Sequence, residues 1–290
     1  MKVLVVGAKG QLGKEIIRQF QTRYELVQQD RSSLDIIDHK SVESVIADTN
    51  PAVVINAAAY TDVEKAEDDK DNVLRVNSIG AHNLALVCRR FQAKLVHIST
   101  DYVFDGTKSV AYEEFDAPNP LSVYGKSKLW GEKFVQQVGG EYFILRTSWL
   151  YGDGRNFVRS MLRLAKQRDH LTVVADQYGT PTYTKDLVWV IEKLMHSEFY
   201  GLYHASNQGS CTWYDFARKI FELVGRSVNV VPVSTGEYPV KAQRPKYSVL
   251  DNKLLQLRGL DIMRPWEEAF QDFMESECRK FVCKGGEDAY

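Results

Sequence analysis

Tyr124 and Lys128 stand four residues apart in Tyr124-Gly125-Lys126-Ser127-Lys128, a spacing that stacks both side chains on one face of a helix. A free phenol, with a pKa of about 10, is a poor acid–base group at neutral pH, and an ammonium beside it stabilises the phenolate and lowers that value. A tyrosine so placed protonates a carbonyl oxygen while hydride reaches its carbon. The same spacing is common on exposed helices, so the surrounding elements have to carry the assignment. Upstream, Ser99-Thr100-Asp101 closes the apolar run 94–98, where a hydroxyl can hydrogen-bond a developing alkoxide. Successive strand residues point to opposite sides, so one of Ser99 and Thr100 reaches such a site, and the pattern does not choose between them. An N-cap or turn role suits the same triplet.

A second group of residues has the types that hold a dinucleotide. Gly7-Ala8-Lys9-Gly10-Gln11-Leu12-Gly13 follows the first apolar run and opens a helical pattern, with G-x-x-G-x-x-G spacing. Glycines let the chain turn sharply and a pyrophosphate approach the backbone, while the helix start stabilises its charge. A tight turn without ligand would use glycine as well, and it is the place in a βαβ unit that favours the dinucleotide. Asp30 ends the second run, 17 residues after Gly13, where a carboxylate accepts from an adenosine ribose; this favours NADH. Lys9 and Arg31 suit the 2′-phosphate of NADPH, so the two indications conflict and use of both is expected. Asn56-Ala57-Ala58-Ala59 ends the third run with small side chains that leave room for a flat ligand or for close helix packing.

The elements that must position these residues alternate regularly. Apolar runs at 3–6, 25–29, 53–55, 94–98 and 142–146 are separated by helical patterns at 14–21, 40–47, 73–90 and 124–137. Strands that read as unbroken apolar runs are buried on both faces of a parallel sheet. The fold class expected is therefore α/β, a doubly wound, Rossmann-like sheet over residues 1–150. Over 151–290 the elements shorten, and a smaller substrate-binding lobe is expected, contiguous and partly interleaved with the first half. The tail from Cys278 is expected to fray. His97, inside a strand, reads as a satisfied core histidine, and Trp213-Tyr214-Asp215-Phe216 as helix packing.

Composition limits the partners. The chain has 290 residues, 44% hydrophobic and 26% charged, and buries an ordinary core without staples. Thirty-seven Lys and Arg against 38 Asp and Glu leave a formal charge of −1, which supplies no field to draw in nucleic acid or an anionic membrane. Cys88, Cys211, Cys278 and Cys283 form no C-x-x-C pair, which points to a reducing, cytoplasmic setting. The apolar start is too short for a leader or a membrane span.

Together the glycine turn 7–13, Asn56-Ala57-Ala58-Ala59-Tyr60-Thr61, Ser99-Thr100-Asp101-Tyr102-Val103-Phe104-Asp105-Gly106, Tyr124-Gly125-Lys126-Ser127-Lys128, Arg146-Thr147-Ser148-Trp149 and Asp176-Gln177-Tyr178-Gly179 resemble the dTDP-4-dehydrorhamnose reductases, a family of extended short-chain dehydrogenase/reductases. The order and spacing run from residue 1 to about 270. The resemblance implies Thr100, Tyr124 and Lys128 as the catalytic set. It implies Gly7, Gly10, Gln11, Leu12 and Gly13 at the cofactor turn, Asp30 at the ribose, Asp35 and Ile36 by the adenine, and Ala59, Tyr60 and Thr61 along the dinucleotide. Tyr60 stands where some relatives carry histidine. Thr100, Asp101 and Trp149 are the implied sugar contacts. Asn156 and Arg244 offer an amide and a guanidinium suited to nucleotide and pyrophosphate oxygens.

The reaction so implied is reduction of dTDP-4-dehydro-L-rhamnose at C4 to dTDP-L-rhamnose with hydride from NADPH or NADH. The alternatives are another nucleotide-sugar 4-ketoreductase, an epimerase or a dehydratase on the same frame, or a regulatory subunit without turnover, against which the intact Thr100, Tyr124 and Lys128 argue. The resemblance allows Mg²⁺, which some members bind at a subunit contact, and it allows a homodimer. The chain offers no ligand cluster to assign to that ion.

Overall fold

Val3, Leu4, Val5 and Val6 are all buried, and alternate residues enter two different cores, Val3 and Val5 on one face of the sheet and Leu4 and Val6 on the other. That is the signature of a sheet covered twice. The computed structural model describes residues 1–283, with side chains to Glu277. The first half runs β1 (Lys2–Val6), α1 (Gln11–Phe20), β2 (Glu25–Gln29), α2 (His39–Thr49), β3 (Val53–Asn56), two short helices α3 (Val63–Ala66) and α4 (Lys70–Leu74), α5 (Gly80–Arg90), β4 (Lys94–Thr100), α6 (Val123–Val138) and β5 (Tyr142–Thr147). The single helix expected over 73–90 is interrupted by a π-helical segment, Arg75–Ile79.

The second half adds β6 (Leu150–Tyr151), α7 (Phe157–Ala165), β7 (His170–Val174), β8 (Tyr178–Gly179), β9 (Thr182–Tyr183), α8 (Thr184–Met195), β10 (Gly201–His204), β11 (Cys211–Thr212), α9 (Trp213–Leu223), β12 (Asn229–Val233), α10 (Lys253–Leu257) and α11 (Trp266–Cys283). The tail expected to fray from Cys278 is helical to Cys283, and residues 284–290 lie outside the described residues.

The main sheet is Rossmann-like, with order β10-β5-β4-β3-β1-β2 and every pairing parallel. α1 and α8 cover one face through Leu12, Ile16, Leu187 and Ile191. Helices α2, α5 and α6 cover the other through Val42, Ile46, Leu84 and Val135. Residues beyond 150 thus supply both an edge strand and a covering helix of the sheet. The rest of them gather around an aromatic core in which Tyr151 and Tyr183 stack at 5.5 Å, with Phe216, Phe270 and Phe273 against them. Because all strands run one way, the ends of β1, β3, β4 and β5 open on the same edge, with the lobe beyond it.

Candidate active site

Two cavities meet at the glycine turn after β1. One, of about 530 Å³, is lined by Gly10, Gln11, Leu12, Ala59, Thr61, Thr100, Asp101, Tyr124, Lys128, Thr147, Trp149 and Arg155 among others. The second, of about 290 Å³, is lined by Gly7, Gly10, Asp30, Arg31, Asp35, Ile36, Ala59 and Tyr60 among others. Lys9, Gly10 and Ala57 to Ala59 border both. The pair has room for a ligand of two linked halves.

The turn between the cavities fits a dinucleotide. Gly7 has φ +84°, and a Cβ there would sit 2.7 Å from the Ala58 nitrogen. A Cβ at Gly13 would come within 2.2 Å of the Gly7 carbonyl oxygen, so neither position admits a side chain. Gly10 caps α1 without a side-chain hydrogen bond, and the first turn carries no acid, which leaves its N–H groups for an outside anion. Gln11 donates from Nε2 to the Leu150 carbonyl at 3.0 Å, and its Oε1 is buried without a partner at the cavity wall. Asp35 and Ile36 line the smaller cavity, as the resemblance implies for an adenine contact. Tyr60 lies there with its backbone held at both ends by Asn77, whose Oδ1 accepts its N–H at 2.8 Å and whose Nδ2 donates to its carbonyl at 3.1 Å.

Asp30 is ion-paired with Lys9 and accepts from the Ser32 N–H at 2.7 Å and from the Ser32 hydroxyl at 2.5 Å, and these partners hold its carboxyl well below the usual range. The two residues on which the sequence indications conflicted therefore touch each other, and Arg31 stands beside them at the cavity.

At the other end, Thr100 is the last residue of β4 and Tyr124 and Lys128 follow the Ser122 cap of α6, whose hydroxyl accepts from the Gly125 N–H at 3.1 Å. The chain separates the two hydroxyls that the sequence left open. Ser99 donates to the buried Glu132 carboxylate under the helix, whereas the Thr100 hydroxyl lies beside the Tyr124 phenol. Thr100 donates to Asp101 Oδ1 at 3.0 Å and accepts from the Tyr102 N–H at 3.2 Å. Asp101 Oδ2 accepts from Ser248 at 2.6 Å, and burial pushes its carboxyl up to about 6.

The expected depression of the tyrosine is not present. Burial pushes the Tyr124 phenol up to about 12, and the Thr100 hydroxyl opposes the rise only in part. Lys128 donates instead to the Ile98 carbonyl at 2.5 Å, and burial lowers its ammonium to about 8 while the Glu132 carboxylate pulls it back up. The phenol is therefore protonated at neutral pH, which is the state a proton donor to a carbonyl oxygen must start from.

Trp149, at φ +44°, lines the larger cavity and stacks on Trp213 with ring centres 3.5 Å apart. Trp213, read from the sequence as helix packing, therefore backs a cavity residue. A Cβ at Gly179 would lie 2.4 Å from the indole, which explains the glycine in Asp176-Gln177-Tyr178-Gly179. Two residues expected at the substrate are not on the wall of the larger cavity. Asn156 is spent on its own loop: Oδ1 caps α7 by accepting from the Arg159 N–H at 3.1 Å, and Nδ2 donates to the Gly152 and Gly154 carbonyls at 2.8 and 3.1 Å. It sets Gly154 and Arg155 on the cavity wall and is not itself on it. Arg244 lies outside the lining, donating from Nη2 to Glu64 at 2.8 Å beside Tyr102, whose ring meets Tyr124 edge-on at 5.8 Å.

His97 is buried but half satisfied. Asn56 Oδ1 accepts the Ala58 N–H, so its Nδ2 donates to His97 Nδ1 at 3.0 Å, and His97 Nε2 has no partner. Sequence reasoning missed Asn77 and Glu132, and quoted Arg146 without giving it a role. Glu132 continues the stripe of Tyr124 and Lys128 at four-residue spacing, a signal that was present. Among the described residues no group of three or more His, Cys, Asp or Glu side chains is placed to hold a metal, and the Mg²⁺ expected by resemblance has no ligands there. No described helix is long and apolar enough to cross a membrane.

Residues 1–278 match the family model described as the RmlD substrate binding domain. The chain is 43% identical over 276 residues to a Bacillus subtilis spore coat polysaccharide biosynthesis protein, SpsK, covering 94% of this chain and 97% of that one. It is 43% identical over 287 residues to the dTDP-4-dehydrorhamnose reductase of Aggregatibacter actinomycetemcomitans, covering 93% and 97%. The crystal structure of the Bacillus anthracis dTDP-4-dehydrorhamnose reductase in complex with NADP superposes with a TM-score of 0.93 at 45% identity, covering 95% of this chain and 99% of that one.

Proposed function

The chain belongs to the RmlD substrate binding domain family, and on that premise we propose that it is an NAD(P)H-dependent dTDP-4-dehydrorhamnose reductase, converting dTDP-4-dehydro-L-rhamnose to dTDP-L-rhamnose. The observation that carries the reading is the juncture of two cavities at an uncapped glycine turn, with Thr100, Tyr124 and Lys128 together on the wall of the larger one. The reduced nicotinamide, when bound, supplies the hydride. Tyr124 gives its proton to the C4 oxygen, and Thr100 orients that oxygen once its hydroxyl turns from Asp101, which keeps Ser248 as a donor. Lys128 holds the nicotinamide ribose with its ammonium. Trp149, fixed against Trp213, packs on the sugar and excludes water.

NADPH and NADH both suit the smaller cavity. Asp30 favours the unphosphorylated ribose, while Lys9 and Arg31 supply cations for a 2′-phosphate. The lobe beyond residue 150 is assigned to the sugar nucleotide. Steady loss of nicotinamide absorbance with dTDP-4-dehydro-L-rhamnose, with a product heavier by two hydrogens, is the expected result. A redox-neutral product formed without net cofactor oxidation overturns the reading in favour of an epimerase or dehydratase.

A further inference from the structure

One turn beyond Lys128, the Glu132 carboxylate is 1% exposed and fully bonded. Oε1 accepts from the Ser99 hydroxyl and from Arg146 Nε at 3.0 Å, and Oε2 accepts from Arg146 Nη2 at 2.7 Å. Arg146 lies over the Phe104 ring at 5.1 Å and approaches His204 Nε2 at 3.4 Å. His204 Nδ1 faces the carbonyls of Tyr112 and Asp251 at 3.0 and 3.1 Å, so it carries the proton and leaves Nε2 as the acceptor. One carboxylate thereby joins β4 one residue before Thr100, β5 one residue before Thr147, and α6 one turn after Lys128.

Packing alone does not account for such a pair, because burying two charges is no more stabilising than apolar groups of the same volume. What the pair adds is fixed position and a fixed negative charge. The charged and titratable groups around Lys128 are Glu132 and Tyr124 on its own helix, His97 on β4, and Arg146 on β5 behind Glu132. His97 is held neutral, since burial and the neighbouring Lys128 both disfavour its cation.

We propose that Glu132 is a positioning residue of the reduction: its buried carboxylate locks the Ser99 end of the catalytic strand to the Lys128 turn of α6. Standing one helical turn from Lys128, the same carboxylate favours that residue's charged form. This rests on the reductase reading, in which Lys128 works in its charged form. Absence of turnover by the wild-type chain would count against that reading, whereas the comparison below tests Glu132 alone.

Glu132→Gln keeps the shape and removes the charge. The alkaline limb of kcat/KM is expected to move to lower pH by about one unit, a roughly tenfold loss one unit above the wild-type midpoint. Lysine labelled at Cε reports the same displacement of Lys128 by NMR without cofactor or substrate, and Glu132→Asp, which keeps the charge, returns the limb toward wild type. A merely structural role lowers the melting temperature and leaves both titrations in place, and that result overturns the proposal. Should Glu132→Gln fail to fold because Arg146 is left unpaired, the double variant Glu132→Gln/Arg146→Met removes both charges together. A smaller downward displacement is expected there, because the Arg146 cation behind Glu132 is lost together with the carboxylate; an unchanged limb overturns the proposal.

Discussion

Arg146 and Arg244 are each paired with a glutamate, one beneath the cleft and one at its rim. The Arg146–Glu132 side chains are 4% and 1% exposed; those of Arg244 and Glu64 are 25% and 37% exposed. Arg146 uses Nε and Nη2 on the carboxylate and Nη1 toward His204. Arg244 makes one bond through Nη2, and its Nε is buried without a partner. A buried pair has nowhere to go, since separating it strands a charge at a cost of about 3–5 kcal/mol. A half-exposed pair is worth about 0–1 kcal/mol and yields to a better acceptor. The difference gives fixed geometry to the floor and exchangeable contacts to the Arg244 side, where the proposed reading brings the anionic nucleotide.

The largest effect is expected at the floor. Tyr124→Phe keeps the ring and its edge contact with Tyr102 but removes the proton, so kcat should fall on the order of 10²–10⁴-fold with cofactor affinity retained. Stopped-flow turnover and a cofactor binding titration check this together. A variant that altered only KM would make the floor behave like a rim and break the contrast.

At the rim, Arg244→Ala is expected to raise the sugar-nucleotide KM by about 10–100-fold while kcat and NADPH affinity change little, because it removes binding remote from the reacting carbon. Glu64→Gln sharpens the point by freeing the guanidinium, so KM should not rise. Steady-state kinetics with saturating cofactor decide, and a loss confined to NADPH affinity would remove Arg244 from substrate binding.

A smaller effect follows from Lys128, whose burial lowers its ammonium to about 8. Below that pH the ammonium is present and above it the neutral amine, so kcat/KM should fall with rising pH through about 8. Tyr124, pushed up to about 12, keeps its proton over the same range and contributes no limb there. A pH–rate profile flat to pH 10 (about two units above the expected midpoint) would mean that Lys128 is not required as a cation.

Most of the floor was legible from the chain because it depends on local spacing. Unbroken apolar runs specify strands covered on both faces, Gly7 and Gly13 specify a turn that admits no Cβ at either place, and Tyr124 and Lys128 share a helix face whatever the tertiary structure. The rim was not, because its contacts join residues far apart in sequence. Asn156 has the side chain for a nucleotide contact, yet it precedes a helix whose N–H groups require capping, and the local demand took the amide. Arg244 meets Glu64 across 180 positions, and no pattern in the chain announces that pair. The fall in the phenol's acidity was missed for a related reason, since spacing places Lys128 near Tyr124 but reveals neither the burial that raises the phenol nor the hydrogen bond that Lys128 donates to the Ile98 carbonyl.

Asp30 is where floor and rim logic meet, since it lies by the smaller cavity yet is tied to a cation 78% exposed. On the proposed reading its carboxylate favours a ribose that carries free hydroxyls and repels one that carries a 2′-phosphate, while its pairing with Lys9 withholds that cation from the phosphate. Asp30→Ala removes the repulsion and frees Lys9 in one step, leaving Arg31 in place. The ratio of kcat/KM for NADH over NADPH should therefore fall, by about tenfold for each 1.4 kcal/mol of differential interaction. Lys9→Ala should move the ratio the other way, because it leaves an unpaired carboxylate facing the phosphate. Both ratios come from initial rates at saturating sugar nucleotide. Opposite displacements would establish the pair as an exchangeable contact of the Arg244 kind, and displacements in the same direction would mean that the two residues act as one rigid unit, like Arg146 and Glu132.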